Sequence, residues 1–149
     1  MNIEFSDWIT GNLENQQGKI VLITGANSGI GYYAALALAS VGAHVIMAGR
    51  NEAKINTAMK TIEKENISGS LEAGIVNLAS LKSVRNFAES VNNKHTQLDF
   101  LINNAGVMMT PESKTDDGFE QQFGVNFLGH FALTGLLYGL LDATPNARV

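Results

Sequence analysis

Eight residues, Thr24-Gly25-Ala26-Asn27-Ser28-Gly29-Ile30-Gly31, stand directly after the apolar run Ile20-Val21-Leu22-Ile23. Glycines this dense suit neither a strand interior nor a mid-helix. They mark a bend where the backbone takes positive φ or meets another group closely. A helical pattern begins at once, over Ile30–Ser40. A helix starting on such a bend aims its unpaired N–H groups and positive dipole end at it, an arrangement that suits a pyrophosphate. Three glycines alone are a weak signal. The strand before, the helix after and a second strand about 20 residues on make it specific.

The rest of the chain repeats the alternation. Apolar strand-like runs fall at Ile20–Thr24, His44–Ala48, Leu71–Val76 and Leu98–Asn103, with helical patterns at Ile30–Ser40, Glu52–Lys64 and Leu81–Asn93. Strands apolar on both faces belong in a parallel sheet covered by helices, and this spacing gives right-handed βαβ units. The fold class is therefore α/β, a doubly wound parallel sheet (a Rossmann fold). A long helix is expected over Asp117–Leu141, broken by Thr144-Pro145-Asn146. Ala147-Arg148-Val149 reads as the opening of a fifth strand, so the pattern is expected to be truncated there. Residues 1–18 are polar and aperiodic and read as an arm anchored by Trp8 and Ile9. Residues 19–149 read as one nucleotide-binding domain.

Composition narrows the functions. The formal charge is −4 and no basic stretch occurs, which argues against nucleic acid as a partner. With no cysteine, disulfides, thiolate catalysis and cysteine-held zinc are excluded. His44, His95 and His130 are scattered without metal-ligand spacing and read as surface or packing residues. No Lys or Arg precedes Lys19, so the start is unlike a secretory signal and a cytoplasmic location is expected. Gln121–Leu141 carries no charge and is long enough to span a bilayer. Its Gln, Asn, His and Thr residues, and the soluble α/β pattern before it, favour a helix buried between the sheet and a partner, with no membrane span.

In a doubly wound sheet, ligands bind beyond the carboxyl ends of the strands where strand order reverses. The first strand ends in the glycine bend, the fourth in Asn103-Asn104-Ala105-Gly106. If those strands are neighbours, both loops line one crevice, and small Ala105 and Gly106 let a ribose or nicotinamide lie on the backbone. The second strand ends in Ala48-Gly49-Arg50. A carboxylate there would select NAD by its ribose hydroxyl; a guanidinium can hold a 2′-phosphate bidentately. The expected cofactor is NADP(H), with Asn27 and Ser28 adding polar contacts beside Gly25, Gly29, Ile30 and Gly31. Asn77-Leu78 follows the third strand, where Asn77 can meet an adenine edge or simply form a turn. Asn126, inside the uncharged helix, reads by itself as a local helix hydrogen bond, and Met108 and Met109 as core or pocket lining.

Together these residues resemble the short-chain dehydrogenase/reductase family, most of all its retinol-dehydrogenase-like subgroup. Thr24–Gly31 matches the family's Thr-Gly-x-x-x-Gly-x-Gly motif and Asn103–Gly106 its Asn-Asn-Ala-Gly motif; Val125-Asn126 and Leu128-Gly129-His130-Phe131 carry further likeness. The resemblance covers about Lys19 to Val149. It implies hydride exchange between NADP(H) and an alcohol, aldehyde or ketone, with an apolar substrate, a homo-oligomer when full length, and Asn126 as a catalytic residue. Asn77 stands where the family usually has Asp. The family's catalytic Ser and Tyr-x-x-x-Lys lie beyond the fifth strand, and this sequence ends before them. Tyr138 is followed four residues later by Asp142, not Lys. A tyrosine near its ordinary pKa of about 10 is a poor proton donor without a neighbouring cation. The alternative expectation is therefore a non-catalytic dinucleotide-binding unit.

Overall fold

A computed structural model describes residues 3–149. Its elements are α1 (Ile3–Asn12), β1 (Ile20–Thr24), α2 (Gly29–Ser40), β2 (His44–Gly49), α3 (Glu52–Ile62), β3 (Ser70–Ile75), α4 (Leu81–Lys94), β4 (Phe100–Ile102), α5 (Gln121–Phe123), a π-helical segment (Gly124–Leu128) and α6 (Gly129–Ala143). The sheet order is β3-β2-β1-β4, parallel throughout. Order reverses between β1 and β4, which are neighbours, so the glycine bend and the asparagine loop meet at one switch point.

The period of two in the strands divides the core into two layers. Val21, Ile23, Val45 and Met47 point to α2 and α3. Leu22, Ile46, Ala48 and Leu101 point to the face covered by Val84, Phe87, Ala88 and Val91 of α4 and Leu133, Leu137 and Leu141 of α6. These strand residues are fully or nearly fully buried. That burial explains the unbroken apolar runs of β1 and β2: both faces need filling, so neither can alternate with polar residues. β3, at the sheet edge, departs from that expectation, being mostly half-buried or exposed and carrying Glu72.

Asp99 ties the amino end of the sheet together. Its carboxylate accepts from Lys19 Nζ at 2.8 Å, Ile20 N at 2.9 Å and Gln97 Nε2 at 3.0 Å. Its main chain donates to Ile20 O and accepts from Arg148 N, both at 2.9 Å. The tail reaches the sheet here as a parallel bridge between Phe100 and Arg148, the first contact of the expected fifth strand.

Several expectations need correction. β4 is shorter than Leu98–Asn103 because Leu98 N is taken by Thr144 Oγ1 at 3.0 Å and Asn104 turns back onto β1. The long helix starts at Gln121 rather than Asp117: the Glu120 carboxylate caps it, accepting from Gln122 N and Phe123 N at 2.9 and 2.7 Å. Those two bonds hold the Glu120 carboxyl below its ordinary range. The arm is not aperiodic, since its described part is mostly helix. Ile9 is buried, but Trp8 is half exposed and stacks on Phe5, so Phe5 and Ile9 are the anchors. Met108 and Met109 are exposed, not core or pocket. After Val107 the chain swings clear of the sheet, with Met109 in the left-handed region at φ 55°.

Candidate dinucleotide site

The bend after β1 is built by Thr24, whose buried hydroxyl has every partner it can use. It accepts from Asn104 N and Ala105 N, both at 3.0 Å. It lies 2.9 Å from Nε2 of buried His130, whose Nδ1 lies 3.1 Å from the Asn126 carbonyl. Only a ring N–H can donate to a carbonyl, so Nδ1 carries the proton and Nε2 accepts from the Thr24 hydroxyl. Burial pushes the His130 pKa down, against the pull of the Asn126 carbonyl, which keeps this ring neutral. The Asn104 amide donates to Thr24 O at 2.9 Å and closes the loop pair.

The three glycines do different work. Gly25 and Gly29 sit at φ 69° and 57°, a conformation in which a side chain is strained. Gly31 is needed for space: a Cβ there would lie 2.5 Å from Gly25 O and from Asn104 Nδ2. A Cβ on Gly25 would meet Ala105 Cα at 2.9 Å. Ser28, extended at the start of α2, makes no side-chain capping bond. The first N–H groups of α2 are thus left for a ligand, and the glycine cradle fits a diphosphate.

Between the loops opens a cleft of about 530 Å³. Of the residues the sequence singled out, Gly25, Asn27, Ser28, Ile30, Arg50, Asn77, Leu78, Asn104, Ala105 and Gly106 line it. Gly29 and Gly31 do not; Gly29 turns the exposed chain at positive φ, and Gly31 is buried against Gly25 and Asn104. Ala48, Gly49, Asn51, Lys54, Val76, Val107 and Val125 also line it and were not foreseen. Lys54 lies in the first turn of α3, whose cap Asn51 accepts from Lys54 N at 2.9 Å; that this turn faces the cleft follows from how α3 packs, not from spacing. The cleft lining carries no carboxylate among the described residues. Asn77 lines the cleft, and its Oδ1 accepts from Ala79 N at 3.1 Å, the turn that is one of its two readings from sequence.

Asn126 departs from its local reading. It is exposed and its amide clamps a residue across the loop, accepting from Val107 N and donating to Val107 O, both at 2.8 Å. It sits at the middle of the π-helical segment, not on the cleft wall. Tyr138 is exposed and donates to Asp142 Oδ1 at 3.3 Å, away from the cleft.

Residues 19–149 match the profile of the short chain dehydrogenases. The chain belongs to that family. It is 48% identical over 132 residues to retinol dehydrogenase 13 of Mus musculus, covering 89% of this chain and 40% of that protein. It is 47% identical over 133 residues to polyprenol dehydrogenase of Danio rerio, covering 89% and 41%. A short chain dehydrogenase from Shigella flexneri complexed with NADP superposes with a TM-score of 0.72 at 29% identity, over 90% of this chain and 57% of that one. The chain therefore spans about two fifths of the length of these curated relatives. Membership of a short-chain oxidoreductase family and the doubly wound fold both agree with the sequence reading.

Proposed function

We propose that the chain is the cofactor-binding part of an NADP(H)-dependent oxidoreductase that interconverts an apolar alcohol with its aldehyde or ketone. The observation that carries the cofactor choice is the pair of cations, Arg50 and Lys54, on a cleft whose described lining has no carboxylate. A 2′-phosphate at the end of β2 would meet two positive charges there; an acidic residue would repel it. The Shigella flexneri relative with NADP bound supports the same choice. Retinol and polyprenol, named in the two relatives, are long apolar alcohols, which supports the substrate class.

The nicotinamide supplies the hydride when bound. The residues of this chain bind and orient. The bend at Gly25–Ser28 and the start of α2 would neutralise the diphosphate, Leu78 and Asn77 would flank the adenine, and Asn104–Gly106 would admit the ribose. Asn126 would act by fixing Val107 on the cleft wall, with both amide atoms already engaged.

Fluorescence titration with NADPH and NADH tests this reading. Arg50→Asp should weaken NADPH binding about 10- to 100-fold, the worth of one charged hydrogen-bonded contact, and leave NADH nearly unchanged. Unchanged NADPH preference would overturn the cofactor assignment. Tight binding by the complete protein without turnover of any alcohol would favour the non-catalytic reading instead.

A further inference from the structure

At the opposite end of the sheet from the cleft, three residues that are remote in sequence converge. His44 opens β2, Glu72 lies on the neighbouring β3, and His95 follows α4. Register explains the meeting. His44 pairs with Ser70 and Ile46 with Glu72, so His44, Ser70 and Glu72 share the face on which α4 packs. The Nε2 atoms of His44 and His95 lie 3.1 and 3.2 Å from the same oxygen, Glu72 Oε2. The side chains are 30%, 8% and 17% exposed for His44, His95 and Glu72.

His95 Nε2 is the informative atom. It is buried and has no hydrogen-bond partner among the described residues, because its contact with Glu72 lacks hydrogen-bond geometry. A buried imidazole nitrogen whose contact with a carboxylate is misaligned leaves its hydrogen-bonding capacity unmet, and an ion between the two would use its lone pair. All three ligand atoms lie within 4.8 Å of one another. Two edges of 3.1 and 3.2 Å are close to the roughly 3.3 Å between ligands held tetrahedrally at zinc bond lengths. His44 is also braced as a ligand should be: its Nδ1 lies 2.7 Å from Ser70 Oγ. The serine hydroxyl can accept an Nδ1–H by rotating, which frees the Nε2 lone pair.

We propose that His44, Glu72 and His95 bind a divalent transition-metal ion of the zinc class. Two imidazoles and one carboxylate favour Zn²⁺ over Mg²⁺ or Ca²⁺, which take oxygen ligands. The ion stitches edge strand β3 to β2 and to the end of α4. Lys94 Nζ, 2.9 Å from Glu72 Oε1, is the one nearby cation in the described cluster. It holds the oxygen turned away from the histidines, and at 61% exposure it can swing into solvent when the ion enters.

Cobalt titration of the tag-free chain, followed by visible absorption, tests the site. One equivalent of Co²⁺ should give the intense bands of a tetrahedral complex, and Zn²⁺ should displace them. His95→Gln should weaken Co²⁺ at least tenfold. Ser70→Ala keeps all three ligands and should cost about 10- to 100-fold, so it decides the matter if His95→Gln fails to fold. Lys94→Met should tighten binding. A hundredfold excess of Zn²⁺ over its Kd should raise Tm by about 5 °C or more. No saturable Co²⁺ signal, or equal affinity in the wild type and Ser70→Ala, would overturn the proposal.

Discussion

His130 is buried as a neutral ring between the Thr24 hydroxyl and the Asn126 carbonyl, and burial lowers its pKa below the ordinary 6.5. The unfolded chain therefore binds a proton there before the folded one does. Stability from this group is complete above about pH 6.5 and declines as pH falls below it. Urea melts from pH 8 to 5 should show that decline, and His130→Gln should flatten it relative to the wild type. Gly31 gives a steric counterpart. Gly31→Ala forces a Cβ against Gly25 O and Asn104 Nδ2. It should cost about 1–3 kcal/mol in denaturant unfolding and reduce NADPH affinity as the bend shifts. At this scale the sequence announced the glycines by their spacing. It did not reveal His130, because its partners Thr24 and Asn126 meet it only across the fold.

Among the elements, the helix from Gln121 to Ala143 has the most to explain. It is long and apolar enough to cross a membrane by length and composition, yet one side of it is core. Leu133 and Leu137 are fully buried against the sheet and α4. Leu133→Ala should cost about 2–5 kcal/mol, read as a lower urea midpoint with an unchanged m-value. Its other side carries Phe123, Phe127 and Phe131, stacked in sequence with centroids 5.4 and 6.2 Å apart and all largely exposed. The sequence supplied the helix and its lack of charge. It did not divide the buried face from the exposed one, because apolar residues lie all round. It also hid the π-helical segment at Asn126, where the hydrogen-bond spacing changes without any residue type that demands it.

Across the whole molecule, acid stability should depend on Asp99. Burial pushes its carboxyl up, but hydrogen bonds from Lys19, Ile20 and Gln97 and the Lys19 charge override this and hold it below the ordinary range. Its contribution is complete above about pH 4 and is lost as pH falls further. Asp99→Asn should unfold at lower urea near neutral pH and lose less on acidification, because β1, β4 and the tail share this residue. The bend, the asparagine loop and the strand–helix alternation were legible because each is local: φ, period and burial write themselves into neighbouring residues. Which distant residues touch was not legible. The Asn126 clamp on Val107, the second cation Lys54 in the cleft, the outward turn of Met108 and the gathering of His44, Glu72 and His95 all depend on strand register and helix rotation. Those are fixed only when both faces of the sheet are packed at once.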